Sequence, residues 1–118
     1  NENSLQTKAT LSNNKIIIFD VFKGVKDFLI KQDYYDEFKQ NFAQFMVVES
    51  RANLLKTNDE FKNDYYDKLR SEFIKMNFNP ATLNKFPFGL YNFYMWVLNC
   101  ETYSNFSLFN KLKWFITF

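Results

Sequence analysis

Carboxylates are the first residues in this sequence whose grouping suggests chemistry. Asp33, Asp36 and Glu37 could converge on one side of a helix start, and the pattern Asp33-Tyr34-Tyr35-Asp36 returns as Asp64-Tyr65-Tyr66-Asp67. Clustered acids can hold a divalent cation through oxygen ligands or divide acid and base roles between them. Either role needs company. The chain has no His, a single Cys100 and no Asp-x-Asp, so zinc of the Cys/His kind is excluded and no nucleophile can be paired with a base. Acids in a first helical turn are also favoured by the helix dipole alone. The expectation is therefore no catalytic residue, no cofactor-binding residue and no metal ligand within these 118 residues. The repeated Asp-Tyr-Tyr-Asp places one copy at a helix start and the other inside a helix, which argues against a duplicated unit.

Glu49, Arg51 and Asn53 interrupt the longest run of helically spaced apolar residues, 34 to 56. A charge buried there requires a partner. Two readings stay open: an ion pair between Glu49 and a base on a neighbouring helix, or a polar contact from this trio to an adjoining domain or an acceptor. Near the C-terminus, Lys111 and Lys113 flank Leu112, Trp114, Phe115, Ile116 and Phe118. Such a segment can lie in a membrane interface through Lys111, Lys113, Trp114 and Phe118. It can equally be a last helix whose lysines snorkel over the core.

Composition sets the frame that must position these residues. With 16 Phe, 7 Tyr and 2 Trp, but only two Gly and two Pro, the sequence favours helices around an aromatic core. The net charge of +2 is spread among interleaved acids and bases, so nucleic acid is not expected as a partner. One cysteine and no secretory leader point to the cytoplasm.

The expected fold is all-α: a compact bundle of four to five helices around a central helix at about 34–56. Residues 1–14 are polar and unperiodic and suit a linker or extended arm from a preceding domain, with 15–118 as a single helical domain. A first helix capped by Ser12 or Asn13 would carry Ile17, Val21, Val25 and Phe28 on one line and Ile18, Phe22 and Leu29 on the next. Gly24 in its middle suggests a close helix crossing. In the central helix Phe38, Phe42 and Phe45 share a stripe expected to be buried with Leu69 and Phe73.

Thr57-Asn58-Asp59-Glu60 fits a capping box that opens a third helix, in which Phe61, Tyr65, Leu69 and Phe73 follow at intervals of four. Asn77-Phe78-Asn79-Pro80 stops that helix and 82–87 reads as a turn. A fourth helix opens near Pro87 over Leu90, Phe93, Tyr94, Val97 and Leu98, too short to span a membrane, and a fifth runs from Tyr103.

Several of these stretches together carry a resemblance. Asn3-Ser4-Leu5-Gln6, the helix start Tyr35-Asp36-Glu37-Phe38-Lys39 and the segment Lys68-Leu69-Arg70-Ser71-Glu72-Phe73 resemble the C-terminal helical region of bacterial family 2 glycosyltransferases of the capsule and lipooligosaccharide type. The likeness covers about residues 3 to 78. Glu2 stands where those proteins usually have Pro, and the region after Asn79 has no counterpart. The resemblance implies a non-catalytic accessory domain of an enzyme that moves a sugar from a nucleotide-sugar donor to a cell-surface glycan. The divalent metal and the nucleotide sugar would belong to a catalytic domain preceding this chain. The implied partner is that domain, at the inner face of the membrane, with peripheral membrane contact and self-association both compatible. The alternative is a free-standing helical module for protein interaction or dimerisation.

Overall fold

The structure is a computed structural model that describes the backbone of residues 2–108 and the side chains of residues 17–108. It is all-α, with no strand among the described residues. Helix α1 spans Glu2–Lys31, α2 Tyr35–Lys56, α3 Lys62–Met76, α4 Pro80–Asn84 and α5 Phe88–Asn99, with a 3-10 turn at Asp59–Phe61 and further helical residues from 103 to 108. As expected, α2 is central, packing against α1, α3 and α5; α3 packs against α1, α2 and α5.

The helix boundaries follow from local chemistry, not always the chemistry expected. Helix α1 already begins at Glu2, so neither Ser12 nor Asn13 caps it and residues 2–14 are helical, not extended. Its end is a Schellman turn: Asp33 takes a left-handed conformation with φ 63°, Tyr34 N–H donates to Leu29 O, and Asp33 N–H donates to Ile30 O. The capping box at Thr57 does not form. Thr57 is extended, closes α2, and gives its hydroxyl to Asn53 O at 2.6 Å, a carbonyl that the end of the helix leaves free. Helix α3 therefore starts only after the 3-10 turn. It stops at Asn77, which is left-handed with φ 42°. Beyond it a short helix takes up 82–84 of the expected turn at 82–87, because Asn79 accepts from Thr82 N–H at 2.8 Å and Pro80 occupies the first helical position.

Periodicity finds the helices but misplaces one face. Phe42, Leu69 and Phe73 are buried as expected, whereas Phe38 and Phe45 are exposed. On α2 the inward face is centred on Ala43, Met46, Val47, Ser50 and Leu54. At 100° per residue, Phe38 and Phe45 fall well to one side of it. On α1 the line Ile18, Phe22, Leu29 faces the core, together with Phe19, and the adjoining line of Ile17, Val21, Val25 and Phe28 faces outward. A Cβ built on Gly24 meets nothing within 4 Å, so no helix crosses closely there among the described residues.

Three buried tyrosines join the helices through their hydroxyls. Tyr65 donates to Ser50 O of α2, Tyr94 to Phe73 O near the end of α3, and Tyr66 to Val97 O and Cys100 O at the end of α5. Arg70 adds a bond to Leu98 O. The last carbonyls of α5, which have no partner within their own helix, thus receive donors from α3. Each of the three rings sits among other aromatics, as in the contacts of Tyr66 with Phe106 at 5.3 Å and Tyr94 with Phe73 at 5.0 Å.

Two buried side-chain groups are exceptions among the described residues, Arg70 Nε and the Ser50 hydroxyl; Ser50 is the one in the closed core. It is fully buried and its hydroxyl has no hydrogen-bond partner among the described residues. A buried hydroxyl without a bond costs roughly 1–3 kcal/mol. Replacing Ser50 by Ala leaves the carbonyl that Tyr65 uses in place and removes the unpaired group. The variant is expected to unfold at higher urea, with a gain of about 1 kcal/mol; an equal or lower midpoint would show that the hydroxyl is satisfied in solution.

Candidate functional site

Two surfaces merit a functional reading. The first is a cleft of about 390 Å³ where α1, α2 and α3 meet. Its floor is built from the inward side chains Phe19 and Phe22 of α1 and Phe42 and Met46 of α2, with Met76 and Phe78 closing the far side. Its rim is charged: Asp20, Lys23 and Lys26 stand on α1, and Glu72 and Lys75 on α3. Residues 20, 23 and 26 point the same way because three-residue steps return to one side of a helix. Lys26 Nζ lies 5.5 Å from the centre of the Tyr35 ring. Glu72 is held by Lys68 at 3.1 Å and Lys75 at 3.6 Å.

The second surface is the outer side of α1 and α2. Ile17, Val21, Val25 and Phe28 on α1 and Phe38, Phe45, Val48 and Leu55 on α2 are each between 37% and 65% exposed. On α1 their line lies opposite Phe19, which touches Tyr65 of α3; on α2 it lies opposite Ser50, which also faces Tyr65. Both lines therefore look away from α3; Phe45 meets Phe22, a residue of the inward α1 line, at 5.9 Å. Eight large exposed apolar side chains on two packed helices are more than the singly scattered apolar residues of an ordinary surface. Gly24 lies beside the α1 line with open space above it.

The sequence-derived candidates are distributed otherwise. Glu49 is half-buried and, among the described residues, makes no ion pair with a neighbouring helix. Arg51 is exposed and borders a small hollow with Leu55, Gly89 and Trp96. Asn53 is half-buried, and its side chain lies close enough to the Tyr65 hydroxyl to lower that phenol's pKa. Arg51 points away from Glu49 and Asn53, which share a side of α2, so the three form no common site. Lys111, Lys113, Trp114 and Phe118 lie outside the described residues.

Of the acids, Asp33 shapes the α1–α2 turn while Asp36 and Glu37 occupy the first turn of α2. No group of three potential ligands is placed to hold a metal among the described residues. The two Asp-Tyr-Tyr-Asp copies sit in unlike settings: Tyr34 is exposed and Tyr35 half-buried, whereas Tyr65 and Tyr66 are fully buried within α3.

Burial also governs the titrating groups. It pushes the Tyr65, Tyr66 and Tyr94 phenols up from their ordinary value, with Asn53 opposing the effect at Tyr65 and Phe78 N–H opposing it at Tyr94. At Tyr66 the neighbouring Cys100 adds to it, while Arg70 opposes. The Cys100 thiol, buried and free, is raised for the same reason. These groups are inert donors of the core and not nucleophiles. Sequence reasoning missed the cleft; its detectable trace was the spacing of Lys23 and Lys26 beside the inward-facing Phe19 and Phe22.

Among the described residues no helix is long and apolar enough to cross a membrane. No family model matches the chain, and no curated protein or solved structure matches it.

Proposed function

We propose that this chain is a non-catalytic accessory domain of a bacterial glycosyltransferase, one that transfers a sugar from a nucleotide-sugar donor to a cell-surface glycan at the cytoplasmic side of the membrane. The outer face of α1 and α2 is its docking surface for the catalytic domain. The glycosyltransferase part of this reading rests on the sequence resemblance over residues 3 to 78. The docking part rests on one observation: eight large apolar side chains share an exposed face of a bundle whose core is otherwise closed. Gly24 fits the same reading, since a residue without a side chain beside an apolar line lets a partner backbone approach.

The same face could meet a second copy of the chain, and this is the reading of a free-standing interaction module. A set of substitutions separates the two. In the isolated chain Gly24→Ala is expected to raise stability by about 0.5–1 kcal/mol, because a helix interior gains from the change and nothing stands in its way. Val21→Glu with Phe45→Glu changes exposed positions and should leave the isolated chain folded. In the parent enzyme the same pair should lower sugar transfer and increase protease cleavage between the domains. Sedimentation that shows the isolated wild-type chain as a dimer, dispersed by the double substitution, would favour the second reading. A parent reading frame that encodes no strand-and-helix domain with an Asp-x-Asp ahead of Asn1 would end the first.

A further inference from the structure

We infer that the cleft between α1, α2 and α3 binds a single-chain anionic amphiphile, with its hydrocarbon on the Phe19, Phe22, Phe42 and Met46 floor and its head group among Lys23, Lys26 and Lys75. This does not depend on the accessory-domain reading or on the outer face, which lies on the opposite side of α1.

The volume comes first. About 390 Å³ falls within the roughly 300–1,000 Å³ of small-molecule sites, and an apolar floor with a few convergent polar groups is their usual make-up. The floor defines the body of the ligand. It offers rings and thioethers but few hydrogen-bonding groups, so a sugar or a polar headgroup would lose its water there without compensation. Methionines line it from two sides, Met46 from α2 and Met76 from α3, and their unbranched side chains adapt to a flexible guest.

The rim defines the head group. Glu72 is already answered by Lys68 and Lys75, and Asp20 is the one further acid. Lys23 and Lys26 have no carboxylate within ion-pair distance among the described residues, so the rim carries a surplus of positive charge. Its long lysine stems can extend the apolar wall while their ammonium groups stay at the mouth. A carboxylate and a phosphate monoester share the required chemistry: a compact anion on one apolar chain.

Three methionines provide the test, because Met46 and Met76 line the cleft and Met95, on α5, does not. The full chain labelled at its methionine methyl groups would be titrated with hexanoate, octanoate and decanoate, with decyl phosphate, and with decanol and inorganic phosphate as controls, all below micelle formation. The expected result is saturable shifts of Met46 and Met76 with Met95 unmoved, and affinity rising about fourfold for each added CH₂ until the cleft is full.

Decanol and inorganic phosphate should each bind at least tenfold more weakly than decanoate or decyl phosphate. Whichever of the two charged compounds binds more tightly identifies the natural head group. Lys23→Glu combined with Lys26→Glu, both exposed positions, should weaken decanoate at least tenfold while Met95 keeps its native shift. The proposal is overturned if decanol binds as well as decanoate, if the double substitution changes nothing, or if decanoate moves Met95 as much as Met46.

Discussion

Replacing Phe73 by Ala should remove about 3–5 kcal/mol of folding free energy. For a chain of 118 residues this lowers the melting midpoint by about 12–20 °C. Phe73 is wholly buried on α3 and meets α5 through two rings, edge-on to Phe93 at 6.0 Å and tilted against Tyr94 at 5.0 Å. Truncation leaves a hole the size of a ring between the two helices. The hydroxyl bond from Tyr94 uses the Phe73 carbonyl, which the substitution retains, so α5 stays attached and cannot collapse freely into the space.

That is the arrangement in which the cavity term is large. Phe45→Ala provides the contrast, since that ring is half-exposed and only flanks Phe22. Its loss should be well under half as great in the isolated chain. Urea unfolding of both variants decides the matter: equal losses would mean that the inward face of α2 and α3 has been drawn in the wrong place.

That contrast also marks how far the sequence could be read. The helical period is plain in Phe61, Tyr65, Leu69 and Phe73, and the last three are buried in the order the spacing implies. On α2 apolar residues occur on most sides, so periodicity alone does not distinguish Phe42, which is buried, from Phe38 and Phe45, which are not. The choice is made by the neighbours: the side of α2 that carries the fully buried Ser50 is the one that packs, and Tyr65 of α3 donates to the Ser50 carbonyl.

Boundaries failed where one residue could serve two helices. Thr57 has the side chain of an N-cap, but the free Asn53 carbonyl behind it is nearer than any amide ahead. Asn79-Pro80 reads as a stop after α3, yet the same pair is a good start, and the structure uses it so. Glu49, Arg51 and Asn53 stood out by sequence position, but a two-residue step on a helix turns by about 200°, which separates Arg51 from Glu49 and Asn53. The cleft needs Lys75 of α3 on the same rim as Lys23 and Lys26 of α1, a juxtaposition that no local spacing records.

Alkaline solution should unfold the protein cooperatively, and the three buried tyrosines set the size of the effect. Hydropathy counts Tyr65, Tyr66 and Tyr94 as aromatic bulk, whereas in the fold each is also a proton donor to a backbone carbonyl of another helix. Burial holds all three phenols above their ordinary value, and an ionised phenol could no longer donate those bonds. In the unfolded chain a tyrosine loses its proton near pH 10. Below that pH both states are protonated and the tyrosines' contribution is fully present. Above it the unfolded state releases protons that the folded state retains, so stability falls as pH rises.

Each phenol contributes a slope of up to about 1.4 kcal/mol per pH unit, and the three together up to about 4. Cys100, raised in the same direction by its burial, begins to act at lower pH because an ordinary thiol titrates near 8.5. Urea midpoints measured from pH 8 to 11.5 should be level at first and then drop steeply, with the phenolate absorbance of the three rings developing only as helix is lost. Tyr66→Phe removes one of the three donors and should flatten the alkaline limb by about a third, at the expense of a lower plateau because Val97 and Cys100 lose a shared donor. An unchanged slope in that variant would show that the Tyr66 phenol ionises as readily in the folded protein as in the unfolded chain.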